Sequence, residues 1–557
     1  LVLFKIRKQK KHLKRYREIA QILSRHGLGH LLQILDLTKF LPVHQKKEGE
    51  NKRPRTSPAE RLLLALEELG PTFIKLGQLL STRADLLPPA YIQQLQKLQD
   101  QLPSFPFDQV AECLERELGR PYNNVFTQFN PVPIAAASIG QVHKATLKTG
   151  QEVAVKVKRP GIEKILATDI EILYDLAGFI DRYGLWKDMY NFREIVREFE
   201  HMLSEETNFI LEGQHAQNFR AHFRNDSNVH IPDIYWPHTT PQILTMEFVN
   251  GIKLTDLEEI NRQGLNRQLI AHRLINAYFY QIFIHGFFHA DPHPGNLSVL
   301  PGERIVFMDF GIVGKLDDET RLKISDFILG LVQKDTAAII RAADELGVIP
   351  DYINRYLLYH DVDKLREKYY TRSLNEINLA DSINEFMQLA LKYRMRLPSQ
   401  LTLLGKALVT VEGVGRQLDP NLQIAEIARP LGARLFRERL SLNNWKKIIR
   451  NNLLAYHQLL TNLPQDLTQI LNIAKRGGLE VKIQRQEQDY ILRKINSLIN
   501  RLILSIILAA LIIALPLLFE FKVSLYGNFS LAKIGLVLGG IIFLLLLFSL
   551  IHNRRRP

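Results

Sequence analysis

The feature that most constrains this chain lies between residues 285 and 311. Asp291 and Asn296 stand five apart in Asp-Pro-His-Pro-Gly-Asn. A hairpin is expected next, with Leu297 to Leu300 as one strand, Pro301-Gly302 as the turn and Arg304 to Met308 as the other. Asp309-Phe310-Gly311 closes it. An Asn carbonyl and an Asp carboxylate are the oxygen ligands that a hard ion such as Mg²⁺ takes. The second carboxylate, Asp291, can orient or take a proton from an attacking hydroxyl or water. His289 and His293 are four apart, which invites a zinc reading. Pro292 and Pro294 break the helix that would align them, so both are assigned to support of the loop.

Upstream, residues 152–158 read Glu-Val-Ala-Val-Lys-Val-Lys. As a strand, Val153, Val155 and Val157 share one face, and Ala154, Lys156 and Lys158 share the other. A lysine beside a small residue on one face can hold phosphate oxygens. A strand lysine, then D-x-x-x-x-N, then D-F-G is the order of parts in protein kinases.

Charge and hydropathy divide the rest. The chain has 557 residues, enough for two or three domains of ~100–200 residues. Its single cysteine excludes a disulfide framework and any multi-cysteine metal site. Lys plus Arg exceed Asp plus Glu by 14, an excess suited to an anionic neighbour. Lys5, Arg7, Lys8, Lys10, Lys11, Lys14, Arg15 and Arg17 crowd the start, with Leu3, Phe4, Ile6 and Leu13 between them. That pattern suits an anionic lipid surface rather than nucleic acid, and it lacks the apolar core of a signal peptide. Leu502 to Phe519 and Ile534 to Ile551 are each 18 residues without a charge. Each would span roughly 27 Å as a helix, so a transmembrane hairpin is expected there. Arg493, Lys494, Arg501 and Arg554 to Arg556 flank it, which places both ends and the main body on the cytoplasmic side of a cell (inner) membrane. Gly535 and Gly539 form a small-residue face that permits helix pairing, so a homo-oligomer stays open.

Between these ends the sequence reads as α+β. Helices are expected over 59–100, interrupted at Gly70-Pro71 and Pro88-Pro89, then strands at 141–158, a long helical stretch at 162–220, strands at 242–249 and 297–308, and helices from 316 to 500. The expected divisions are a basic arm and linker (1–55), a helical extension (56–130), two lobes (131–250 and 251–425), a helical juxtamembrane region (426–500) and the hairpin (501–557).

These residues together resemble the UbiB/ADCK (AarF-domain) family of atypical, protein-kinase-like proteins. The resemblance covers about residues 55–425. The family's Lys-x-Gly-Gln element falls on Lys75-Leu76-Gly77-Gln78, and its alanine-rich loop on Ala135-Ala136-Ala137-Ser138-Ile139-Gly140. Its Glu-x-Asp element falls on Glu206-Thr207-Asn208, with a second Glu at Glu212. The resemblance implies a two-lobed kinase-like fold. It implies that Lys156 pairs with Glu212 and contacts nucleotide phosphates, that Asn296 and Asp309 hold Mg²⁺, and that Asp291 takes the catalytic-loop position. Ala135, Ala136, Ala137 and Ser138 would cover an ATP or ADP molecule, and Glu247 and Val249 would hold its adenine. Lys75, Gln78 and Glu206 would reach the cleft. Lys75 and Gln78 share one helix face, and Gly77 between them allows another backbone to approach closely.

One departure from the family, and the physics of its alanine-rich loop, qualify this. Asn208 stands where the family has Asp; it offers an oxygen but no charge and cannot act as a base. Alanine also stiffens the phosphate loop relative to glycine, which predicts a different nucleotide pose. Only Ile312 to Leu316 separate Gly311 from a helix opening at Asp317, so a protein kinase's activation loop and Ala-Pro-Glu segment have no counterpart. The expected function is a membrane-tethered ATPase or small-molecule kinase, which the resemblance implies acts in isoprenoid-quinone (ubiquinone-type) biosynthesis. Its expected partners are the lipid bilayer, prenyl-quinone precursors and quinone-biosynthesis enzymes. The alternatives are a protein kinase with unusual substrate access and a non-catalytic lipid-binding scaffold.

Overall fold

The structure, a computed structural model, describes residues 12–41, 56–83, 86–98, 103–183, 191–332, 335–350, 352–370 and, except for 394, 396, 425 and 428–429, 379–430, together with short pieces between 506 and 530. The chain divides into two compact units, Leu1–Glu438 and Arg439–Pro557.

Helices come first in the larger unit: α1 (Leu13–Arg25), α2 (Gly29–Ile34), α3 (Pro58–Leu69), α4 (Pro71–Thr82), α5 (Pro89–Leu95) and α6 (Phe107–Leu118). Ser57 starts α3 by accepting the Glu60 amide, with Pro58 in the first turn where no amide is needed. Gly70, at φ 96°, turns the chain between α3 and α4. Helices α1 to α5 pack on α7 (Ile162–Tyr183) and α8 (Phe192–Glu206) through one apolar core that includes Ile19, Leu66, Phe73, Leu173 and Phe199. A polar hub fixes their relative positions. Buried Asp169 of α7 accepts Arg15 at 2.8 and 3.0 Å and the Thr72 hydroxyl at 2.6 Å. The helix that carries Lys75 is therefore tied down one turn earlier.

The first sheet contains β1 (Phe126–Phe129), β2 (Ala135–Ala136), β3 (Gly140–Leu147), β4 (Glu152–Lys158) and β6 (Ile243–Glu247), in the order β1-β3-β4-β6 with β2 beside β3. Alternation along β4 sorts its side chains. Val153, Val155 and Val157 are fully buried with Val110, Cys113 and Leu114 of α6. Lys156 and Lys158 lie toward α9 (Phe209–His222), each over the ring of Phe209.

The second lobe holds β5 (Val229–His230), β7 (Ile252–Lys253), α10 (Leu257–Arg262), α11 (Arg267–Phe279), a π-helical turn (Tyr280–His285), β8 (Phe287–His289), β9 (Leu297–Leu300), β10 (Arg304–Phe307) and β11 (Val313–Lys315). Strands β9 and β10 form the hairpin expected around Pro301-Gly302, inside a sheet ordered β5-β10-β9-β7. Strand β11 pairs with β8, and Asp317 caps α12 (Asp318–Val332) by accepting the Thr320 amide at 2.7 Å. Helices α13 (Thr336–Glu345), α14 (Arg355–Tyr370), α15 (Leu379–Lys392) and α16 (Ser399–Leu418) follow. Leu404, Ala407, Val411, Val414 and Leu418 of α16 recur every three or four residues and enter the core formed by Leu274 and Tyr278 of α11.

One part of the expected fold class is corrected. Among the described residues, no helix is long and apolar enough to cross a membrane. The long helices α7 and α16 carry charges along their length, such as Asp169, Glu171 and Asp175 in α7, and Lys406, Glu412 and Arg416 in α16. Residues 502–519 and 534–551 lie almost wholly outside the described residues. Between them, Ser524–Tyr526 pairs antiparallel with Phe529–Ser530. The kinase-like α+β fold stands without the transmembrane hairpin, and the multi-pass localisation built on it is not supported. The Gly535/Gly539 face and residues 1–11 of the basic arm also lie outside the described residues.

Candidate active site

Lys156 of β4 is buried and ends on Glu212 of α9, with Nζ 2.8 Å from Oε1 and 2.9 Å from Oε2. It also lies 3.5 Å from Oδ1 of Asp309. Burial works against the lysine's charge, but Asp309 and Glu212 more than offset it, so the ammonium is held charged well above its usual range. Burial pushes Glu212 up to about 7, against the pull of Lys156 and with the push of Asp309. Asp309 is half exposed. Burial pushes it up, and the charges of Lys156 and then Lys75 bring it down to about 2. Its backbone is left-handed, at φ 57°, and its Oδ1 accepts the Gly311 amide at 3.3 Å. Phe310 packs beneath α9 against Phe219 and His289, and its carbonyl lies 3.1 Å from Nδ1 of His215.

The catalytic loop is built on His289, which is fully buried. Its Nδ1 accepts the Asp291 amide at 3.2 Å, so its Nε2 donates to the Met308 carbonyl at 2.9 Å. Gln281 accepts the His289 amide, and the Tyr278 hydroxyl donates to its carbonyl. The Asn296 side chain donates to the Asp291 carbonyl at 3.1 Å, which orients its amide and leaves Oδ1 as the acceptor end. His293 accepts the Gly295 amide and so shapes the turn. Asp291 itself carries a partner from far along the chain: Nζ of Lys406, on α16, lies 3.2 Å from its Oδ1. Burial pushes Asp291 up, and Lys406, His289 and Lys75 bring it below the usual carboxylate range.

The extension supplies the cleft's other wall. Lys75 pairs with Glu206, and both are buried. A side chain added at Gly311 would sit 3.7 Å from Cγ of Glu206, which places this pair beside the D-F-G turn. Gln78 donates to the Leu98 carbonyl at 3.4 Å. Gly77 faces the side chains of Leu66, Leu95 and Leu98, not another backbone as its position between Lys75 and Gln78 suggested. Asn208 caps α9, its side chain accepting the Ile210 amide at 3.1 Å. The departure from the family's Asp thus sits at a helix start between the two glutamates.

Over the cleft, Ala135 and Ala136 pair with Val142 and Gln141, and the Ala137 amide closes a tight turn on the Gly140 carbonyl at 2.7 Å. Ile139 is buried with Phe209 and Leu244, so the loop is fastened onto α9. Ser138 is fully buried, and its hydroxyl has no partner among the described residues. At the hinge, the Glu247 carboxylate is taken by His230 at 3.1 Å and by the Asp233 amide, which leaves only backbone for an adenine at Glu247 and Val249.

The structure therefore gathers Lys156, Glu212, Asp309, Asn296, Asp291, Lys75 and Glu206 around one cleft, and places Gln78 against Leu98. Three lysines there (Lys75, Lys156 and Lys406) face four carboxylates. Among the described residues, no group of three or more His, Cys, Asp or Glu gathers as a metal site. Asn296 and Asp309, an amide oxygen and an ionised carboxylate, fit a hard cation that takes the rest of its shell from phosphates and water. Sequence reasoning missed Lys406, and no local pattern around it announces its partner.

Residues 97–343 match the model of the ABC1 atypical kinase-like domain, 362–423 that of the UbiB helical domain, and 486–552 that of the ABC1/UbiB kinase-like C-terminal domain. An uncharacterized protein of Synechocystis, sll1770, is 34% identical over 82% of this chain and 78% of its own. A probable protein kinase UbiB of Marinobacter nauticus is 33% identical over 84% of this chain and 87% of its own. A probable protein kinase UbiB of Xanthomonas campestris is 35% identical over 77% and 80%.

Proposed function

The chain belongs to the UbiB/ADCK family of atypical kinase-like proteins, and from that premise we propose that it binds a magnesium nucleotide and hydrolyses ATP in support of isoprenoid-quinone biosynthesis. The observation that carries this reading is the buried Lys156–Glu212 pair standing against Asp309, with Asn296 oriented by the loop that bears Asp291. Glu212 fixes the Lys156 ammonium so that it can bind phosphate oxygens as a charge already in place. Asn296 and Asp309 would hold magnesium, which when bound neutralises charge on the β- and γ-phosphates. Asp291 orients the attacking water. The lysine of α4 and the fastened alanine-rich loop wall the site, which favours a small acceptor, a water or a prenyl-phenol intermediate, over a peptide. The segment Ile312 to Leu316 is taken up by β11, so a peptide substrate has no platform of the protein-kinase kind.

The test is ATP turnover by the full-length chain with and without magnesium and a prenyl-phenol. Magnesium-dependent turnover that is lost in Lys156→Ala is expected. A calorimetric trace with no heat from Mg-ATP or Mg-ADP in folded protein would overturn the reading.

A further inference from the structure

Lys406 is a cation brought to the catalytic loop from outside the kinase-like segment. That segment's family match ends at residue 343, and Lys406 lies within the helical-domain match at 362–423. The apolar face of α16, with Leu404, Ala407 and Val411 in the core, sets the helix against α11. Lys406 flanks that face and reaches Asp291 at 3.2 Å. The loop has no cation of its own for this task. No lysine or arginine lies between Asp291 and Asn296, and Ala290 stands where the protein-kinase H-R-D pattern has arginine. The contact is also of an exchangeable kind. It is a single hydrogen bond between a lysine 28% exposed and a carboxylate 39% exposed, unlike the enclosed, two-point Lys156–Glu212 contact.

We propose that Lys406 is a phosphate-binding cation of this cleft, holding the terminal phosphoryl group of a bound nucleoside triphosphate and stabilising the charge that develops on it. The proposal rests on the hydrolysis reading above and goes beyond it, because it makes the helical domain part of the catalytic site. In the step, a bond forms between the water oxygen and the terminal phosphorus. The bond from that phosphorus to the β,γ-bridging oxygen breaks, and the diphosphate leaves with the electron pair. The water's proton passes to the released phosphate or to solvent. Lys406 lies beside Asp291, which orients the water, so it meets the phosphoryl group at the end remote from Lys156. A diphosphate lacks that group, so Lys406 distinguishes ATP from ADP.

The experiment uses the full-length chain as wild type, Lys406→Met, Lys406→Arg and Lys156→Ala, with Mg-ATP and Mg-ADP affinities from calorimetry and turnover from released phosphate. Lys406→Met is expected to weaken ATP about tenfold, as for loss of a charge-assisted contact, while ADP stays within about twofold. Its turnover is expected to fall about a hundredfold, and Lys406→Arg to recover most of the ATP affinity. Lys406→Gln, which keeps a polar end, replaces methionine if that variant does not fold. An unchanged ATP-to-ADP affinity ratio with unchanged turnover would overturn the proposal. So would an equal loss for both nucleotides, with a lowered melting temperature and no rescue by arginine, because a purely structural role gives that pattern. Failure of the hydrolysis reading looks different: wild type and Lys156→Ala would be equally silent toward both nucleotides, and the Lys406 proposal would fall with it.

Discussion

Among the lysine–carboxylate pairs at the cleft, Lys156–Glu212 and Lys406–Asp291 are built to different standards. Lys156–Glu212 joins β4 to α9, with side chains 7% and 2% exposed and two contacts under 3 Å. Lys406–Asp291 joins α16 to the catalytic loop through one contact, with its side chains 28% and 39% exposed. The enclosed pair cannot trade partners without leaving a charge in a dry setting, so Glu212 holds the Lys156 ammonium as a fixed charge. The open pair lies within reach of solvent and ligand, so it behaves as chemistry. Proximity to the reaction does not separate them, since both flank the nucleotide position proposed above. Burial does.

The largest effect should come from breaking the enclosed pair. Lys156→Met leaves Glu212 with Asp309 and Glu206 as neighbours and no cation in contact, which should cost about 3–5 kcal/mol in denaturant unfolding. The sign of its pH dependence follows from Glu212. Its folded value lies near 7, above the usual 4.5, and loss of the lysine pushes it higher. The stranded group therefore takes a proton as pH falls and stops being a buried charge. The deficit relative to wild type should be greatest near pH 8 and shrink toward pH 5. A deficit that is flat across that range would show that the lost term is packing, and the contrast drawn here would lose its basis.

Asn208 tests what lies between the two glutamates. As the cap of α9 it accepts the Ile210 amide, so Asn208→Ala should cost about 1 kcal/mol, and Asn208→Asp should preserve stability because the carboxylate caps as well. A melting-temperature series resolves both. If Asn208→Asp instead changes magnesium dependence at constant stability, the position is a ligand rather than a cap.

How far the sequence foretold this depends on how far apart the partners lie. Asp291, Asn296 and Asp309 fall within nineteen positions, and the geometry between them is a short turn and a hairpin, so their spacing is itself a structural statement. The same holds for β4, where alternation alone puts the valines against α6 and the lysines against α9, and for the helix breaks at Gly70-Pro71 and before Pro89. Lys406 lies 115 residues from Asp291. Only the packing of α16 on α11 brings them together, and a lone lysine beside an apolar face reads as any solvated lysine. Arg15, Thr72 and Asp169 were illegible for the same reason. The expected span at 502–519 and 534–551 lies almost wholly outside the described residues, among which no helix is long and apolar enough to cross a membrane; hydropathy fixes only the solvent a segment tolerates.

For the open pair, stability should hardly register. Lys406→Met should change unfolding free energy by less than about 1 kcal/mol, because exposed pairs gain little over water. A loss as large as that of Lys156→Met would erase the distinction between the two sites.

The smallest effect belongs to Asp309, which shares features of both. It touches the enclosed lysine yet is itself 47% exposed. Its folded value of about 2 lies below its ordinary 3.8, so its contribution is present above 3.8 and is lost as pH falls toward 2. Solvent screening keeps that contribution below about 1 kcal/mol. Asp309→Asn matches the protonated acid in shape, so the stability difference between wild type and variant isolates the group from every other carboxylate. That difference should be constant above about pH 5 and close steadily as urea midpoints are followed downward through pH 4 and pH 3. A difference that widens on acidification would mean that Asp309 gains nothing from Lys156 and Lys75 in the folded chain. The carboxylate would then be held for its magnesium site at a cost to the fold, and the two lysines would be assigned wholly to phosphate.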